Sequence, residues 1–89
     1  MPRVSFPQVL QRHVPCPPVD VTGGTVREAL AAAFTVYPNV EAYLLDEAGA
    51  LRPHVTVFVD GVAVRDRARL RTTVQPDARI DVLQALSGG

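Results

Sequence analysis

Gly24-Thr25-Val26-Arg27-Glu28-Ala29-Leu30-Ala31-Ala32-Ala33-Phe34-Thr35-Val36-Tyr37-Pro38 is the stretch on which the fold turns. Thr25 and Glu28 have the spacing of a capping box: the Thr25 hydroxyl can accept the Glu28 amide hydrogen while the Glu28 side chain reaches back. Behind them, Val26, Ala29, Leu30, Ala33 and Phe34 recur at intervals of three and four, one apolar stripe of a helix. A residue before proline is biased away from helical geometry, so Tyr37-Pro38 closes the element. The spacing predicts a helix over 25–36 whose apolar stripe needs a surface to lie on.

That surface is written on either side. Downstream, His54-Val55-Thr56-Val57-Phe58-Val59 is β-branched and aromatic, Asp60-Gly61 is a two-residue hairpin signal, and Val62-Ala63-Val64-Arg65 is the return strand. Asp66 to Asp77 is polar with isolated anchors at Leu70 and Val74, a loop with at most a short helical turn. Arg79-Ile80-Asp81-Val82-Leu83 is the last strand. Upstream, Val4, Phe6 and Val9 give Arg3 to Leu10 a strand pattern with imperfect alternation. Pro15, Pro17 and Pro18 then limit Val19-Asp20-Val21 to a short edge strand, and Thr22-Gly23-Gly24 is a turn. Between Pro38 and Arg52 the pattern is weak, and Val40 to Leu45 should dock on the core as a short strand or a turn of helix. This order predicts an α+β layer: a mixed four- to five-stranded sheet with one main helix across one face. The crossover permits the first and last strands to pair in parallel, which is the β-grasp, or ubiquitin-like, arrangement.

Composition narrows the function. With 89 residues, the chain has room for one domain, read as a β-grasp body over 1–84 and a flexible tail over 85–89. Nine basic residues cancel nine acidic ones, removing the usual electrostatic case for nucleic acid. All nine are arginine, so lysine-based Schiff-base or phosphate-loop chemistry is excluded within the chain. One cysteine supplies neither a disulfide framework nor a zinc site by itself. No apolar run approaches a membrane span, and the start lacks a signal-peptide core, so the expected location is the cytoplasm, with no membrane partner.

The C-terminus Ala85-Leu86-Ser87-Gly88-Gly89 carries the most chemistry. A terminal carboxylate on a residue without Cβ can thread a narrow channel at almost any backbone angle. A free carboxylate is a poor electrophile, however, and needs ATP-dependent adenylation before sulfur or nitrogen can displace AMP. Strand parity adds a docking surface. If Ile80 and Val82 face inward, Arg79, Asp81 and Leu83 face outward; if Val55, Val57 and Val59 face inward, Thr56 and Phe58 face outward. Phe58 and Leu83 should then form an exposed apolar pair on the sheet face opposite the helix. Arg65, Arg67, Arg69 and Arg71 alternate around Asp66 and read first as a solvated loop with local ion pairs. Their functional use would be contact with an acidic partner surface. His13, Cys16 and His54 lack the further ligand a metal needs and the third group a Cys–His pair needs. Asp46-Glu47 reads as a solvated turn, and Gly23-Gly24 lacks the flanking pattern of a phosphate loop. No catalytic or metal residue is expected.

Several of these stretches together are similar to the ThiS/MoaD family of ubiquitin-like sulfur carriers, over nearly the whole chain. They are Val4-Ser5-Phe6-Pro7, Gly24-Thr25-Val26, the run Arg52-Pro53-His54 through Asp60-Gly61, and Gly88-Gly89. The middle stretch most resembles the longer members that feed sulfur into cysteine or other small molecules. The resemblance implies a carrier rather than an enzyme. A ubiquitin-activating-type enzyme would adenylate Gly89 with ATP and Mg, sulfur would replace AMP, and a downstream sulfur-accepting enzyme would take it. Gly88 and Gly89 would carry the chemistry, with Phe58, Leu83, Leu86 and Ser87 as docking residues on a carrier that binds no cofactor and is monomeric when free. Gln84-Ala85-Leu86-Ser87 departs from the proline many members place before the glycines, which loosens assignment to one subfamily. The destination stays open among cysteine, molybdopterin, thiamin, a tRNA base and a specialised metabolite. Two other readings also stand: a ubiquitin-like modifier joined to target lysines, and a non-conjugating β-grasp binding module.

Overall fold

In the computed structural model, which describes residues 1–85, the expected helix and hairpin are both present. The elements run β1 (Arg3–Ser5), α1 (Gln8–Gln11), β2 (Val19–Asp20), α2 (Val26–Val36), a 3-10 turn (Pro38–Val40), α3 (Glu41–Leu44), β3 (Val55–Val59), β4 (Val62–Ala63) and β5 (Arg79–Gln84). The five strands form one mixed sheet in the order β2-β1-β5-β3-β4. β5 lies at its centre, parallel to β1 and antiparallel to β3, as the β-grasp reading requires. The Asp60-Gly61 turn has left-handed backbone at both positions, φ 49° and 85°, matching the right-handed twist of the strands it joins.

The capping box holds α2 in place. Glu28 N donates to Thr25 Oγ1 at 3.2 Å, and Gly24 N donates to Glu28 Oε1 at 2.7 Å, one residue earlier than the simplest box. The remaining free amides of the first turn are taken by the long loop: Val26 N donates to Thr72 O at 2.9 Å and Arg27 N to Leu70 O at 2.8 Å. Those two bonds explain why a polar loop carries apolar anchors. Leu70 and Val74 are buried in the same core as Leu30, Phe34, Val57 and Ile80. No buried polar or charged residue interrupts this core among the described residues.

Two segments depart from expectation. The first strand does not reach Leu10: it stops at Ser5, and residues 8–11 are helical. Pro7 has no amide hydrogen for a ladder, and its carbonyl instead accepts from Leu10 and Gln11, starting α1. The 38–52 segment takes the helical alternative, as the 3-10 turn followed by α3, and buries Val40, Leu44, Leu45 and Leu51 against the helix side of the core. The return strand is likewise two residues long rather than four. No helix among the described residues is long and apolar enough to cross a membrane.

Candidate functional site

Gly88 and Gly89, with Leu86 and Ser87, lie outside the described residues; the structure describes the strand that leads to them. β5 is gripped by β3 along its whole length, from Val59↔Ile80 to Val55↔Gln84. Ala85, assigned from the sequence to the tail, extends this ladder by donating its amide hydrogen to His54 O at 2.8 Å. On the other side, registered pairing with β1 stops at Ser5↔Asp81 because Pro7 turns the chain away. The last strand is therefore anchored firmly on one side up to the residue before Leu86.

The outward sheet face changes character along β5. Near the start of the strand it is ionic: Arg3 Nε lies 2.9 Å from Asp20 Oδ1, and Arg79 Nε lies 3.1 Å from Asp81 Oδ2. The hydrogen bond from Arg3 holds the Asp20 carboxyl below the usual aspartate range, and the same bond raises the Arg3 guanidinium. Toward the end of the strand Thr56 faces Leu83, and Leu83 is 50% exposed. Parity is as the sequence predicts, but the two apolar residues are unequal. Phe58 is half-buried, opposite Asp81 on one side and Ala63 on the other. It is two pairing rows away from Leu83, diagonal to it on the same face rather than directly opposite, so Leu83 supplies the more open apolar surface.

Other candidates resolve into structural roles. His13 stacks on Tyr43, with ring centroids 6.5 Å apart and planes at 12°. Cys16 is buried, and burial pushes its thiol pKa up, away from a reactive thiolate. The Gln11 side-chain amide grips the Cys16 backbone at both ends, accepting from Cys16 N at 2.9 Å and donating to Cys16 O. Among the described residues no three His, Cys, Asp or Glu side chains are grouped to hold a metal. Gly23 is fixed by packing: a Cβ there would stand 2.7 Å from Ala29 N. The amides of the α2 first turn already have partners inside the chain, which leaves no anion cradle there.

The arginine run corrects the sequence reading. The ion pairs among the described residues are Arg3–Asp20 and Arg79–Asp81, and neither involves Arg65, Arg67, Arg69 or Arg71. Asp66 instead accepts backbone hydrogens, from Arg69 N at 3.0 Å and Arg71 N at 2.8 Å, and these bonds lower its pKa. Sequence inspection also missed Arg27. Its guanidinium donates to Gly49 O at 2.8 Å, Arg69 O at 3.1 Å and Ala68 O at 3.2 Å, stapling two loops to α2. The available signal was one charged residue beside the apolar stripe of a helix start.

A model of the ThiS family matches residues 13–89. The chain is similar in structure to a chain of the Amycolatopsis orientalis BexX/CysO complex, at 27% identity over 100% of both chains with a TM-score of 0.85. It is also similar to SAMP1 from Haloferax volcanii, at 25% identity over 99% of this chain and 98% of that one, TM-score 0.78. CysO of Mycobacterium tuberculosis shares the fold at 24% identity, over 97% of this chain and 100% of that one, TM-score 0.82. No curated protein sequence matches significantly.

Proposed function

Because the chain belongs to the ThiS family and has its ubiquitin-like sulfur-carrier fold, we propose that it is a protein co-substrate whose Gly89 carboxylate carries sulfur as a thiocarboxylate. In the first step a carboxylate oxygen of Gly89 attacks the α-phosphorus of ATP on a separate Mg-dependent enzyme, and pyrophosphate leaves. In the second, hydrosulfide attacks the acyl carbon, the bond to AMP breaks, and a proton is released, leaving the thiocarboxylate. A downstream enzyme then accepts the sulfur for a biosynthetic product. Such a carrier, charged at the expense of ATP, works in the cytoplasm.

The observation that carries this reading is that the family match runs from residue 13 through residue 89, so it takes in Gly88 and Gly89 as well as the folded body from β2 onward. Glycine at both positions suits a pocket too narrow for a Cβ. Leu83 beside the end of β5, together with Phe58, Leu86 and Ser87, forms the docking surface in this scheme. One neighbour was solved in a complex, BexX/CysO, which supports a role exercised through partners.

A second reading has its own support, since SAMP1 of Methanosarcina acetivorans, similar in fold, is described as a small archaeal modifier protein. Intact-mass spectrometry separates the two. After incubation with the activating enzyme of the same genome, Mg-ATP and sulfide, the carrier reading expects the mass change of one oxygen replaced by sulfur. Adducts joined to lysines of other proteins would instead establish the modifier. An unchanged mass, with a Gly89-deleted chain as active as the full one in cells, would overturn both.

A further inference from the structure

The formal neutrality of the chain conceals a separation of charge. Four arginines against Asp66 give residues 65–71 a formal charge of +3, while the other five arginines and eight carboxylates leave the remainder at −3. The fold keeps these charges apart. None of the four arginines is in an ion pair among the described residues, and both oxygens of Asp66 are committed to the backbone of its own loop. Arg65, Arg69 and Arg71 are exposed, whereas Arg67 is half-buried and donates to Arg52 O at 2.7 Å.

The position of the loop gives this charge a direction. Val64 N donates to Val57 O, and Leu51 N donates to Arg67 O, so the loop returns along β3 toward its first residues. That is the end of β3 where His54 O receives Ala85 N and β5 ends. The loop therefore places Arg65 beside the end of β5 and then carries Arg69 and Arg71 on to the first turn of α2, where Leu70 O accepts from Arg27 N and Thr72 O from Val26 N.

Resting on the carrier reading above, we propose that the Arg65–Arg71 loop is an electrostatic docking surface for an acidic protein face, one that flanks the pocket of the activating enzyme that receives Gly89. Exposed guanidinium groups held outside ion pairs steer association and orient it, acting on the encounter rate more than on the chemical step. A protein partner fits better than nucleic acid. The loop contains no aromatic side chain to stack on bases.

The test compares wild type with an Arg65→Gln/Arg69→Gln/Arg71→Gln variant in ATP–pyrophosphate exchange by the activating enzyme of the same genome. Arg67 is left in place because its guanidinium supports Arg52. The expected result is a kcat/KM for the carrier lowered about tenfold at low salt with kcat unchanged. That difference should vanish between about 10 mM and about 1 M NaCl, as the Debye length falls from about 30 to about 3 Å. Lysine at the same three positions should restore most of the loss, because charge rather than guanidinium geometry is at work. Equal salt profiles for wild type and the glutamine variant would overturn the docking surface and leave the carrier reading intact. Absence of exchange with wild type, on an enzyme that activates another carrier, would overturn the carrier reading itself. Retention of a labelled single-stranded RNA by wild type but not by the variant would assign the loop to nucleic acid and also overturn the proposal.

Discussion

Leu83→Ala isolates the apolar part of the docking face. Leu83 stands outward on β5, opposite Thr56, with 50% of its surface exposed. Complete burial of a leucine side chain stabilises by roughly 1.5–3 kcal/mol, so covering the exposed half is worth about 0.8–1.5 kcal/mol. At about 1.4 kcal/mol per tenfold, truncation should weaken association with the activating enzyme by about 4- to 12-fold. The assay is ATP–pyrophosphate exchange with carrier concentration varied: KM should rise by that factor and kcat should hold, since Leu83 makes no contact with the reacting carboxylate in this scheme. The half already buried is lost from the folded state as well, so urea unfolding is measured alongside to show a folded domain. Phe58→Ala would be a poorer probe because its half-buried ring is part of the sheet packing. Val36 on α2 is the matched control, since it is 53% exposed on the helix layer across the sheet. An unchanged KM for Leu83→Ala, or an equal rise for Val36→Ala, would refute the reasoning.

Three further outcomes test the fold around the site. Gly23→Ala should lower the urea midpoint by the equivalent of about 1–3 kcal/mol, because its Cβ meets the Ala29 backbone at 2.7 Å. Gly24→Ala meets only a side-chain oxygen at 3.5 Å and should stay within about 0.5 kcal/mol of wild type; equal effects would contradict the close approach. Ellman's reagent should leave Cys16 unmodified in the native protein and titrate one thiol in urea, and rapid native reaction would show that it is not sealed in the core. Asp66 is held below the ordinary aspartate value of 3.8 by backbone hydrogen bonds from Arg71 and Arg69. Its contribution is present above that value and is lost as pH falls through the lower folded value. The stability gap between wild type and Asp66→Asn should thus be largest near neutrality and shrink below about pH 4; a gap that is constant down to pH 2 would show that the carboxylate charge is not what the loop amides bind.

How much of this was legible depends on how far apart the interacting residues are. Thr25 and Glu28 lie three apart, Asp60 and Gly61 are adjacent, and strand parity repeats every second residue, so helix, hairpin and outward face could all be read directly. Pro7 was visible too, yet Val4, Phe6 and Val9 suggested a strand through it. Its effect lies in the fold, where its carbonyl accepts from Leu10 N and Gln11 N and starts α1. Arg27 and the loops it staples are 22 to 42 positions apart, beyond any periodic signal. The candidate site divides in the same way. A terminal glycine pair declares its chemistry locally, and Leu83 declares its direction by parity. The shielding of Phe58 depends on a neighbouring strand, and the charge of the arginine loop depends on which partner Asp66 chooses. The run itself shows a local excess of positive charge in a chain that sums to zero, and the fold adds that Asp66 is bound to backbone amides rather than to the arginines beside it. Reading partners from composition therefore fails most readily in proteins like this one, where a short loop holds one sign of charge and the rest of the body balances it.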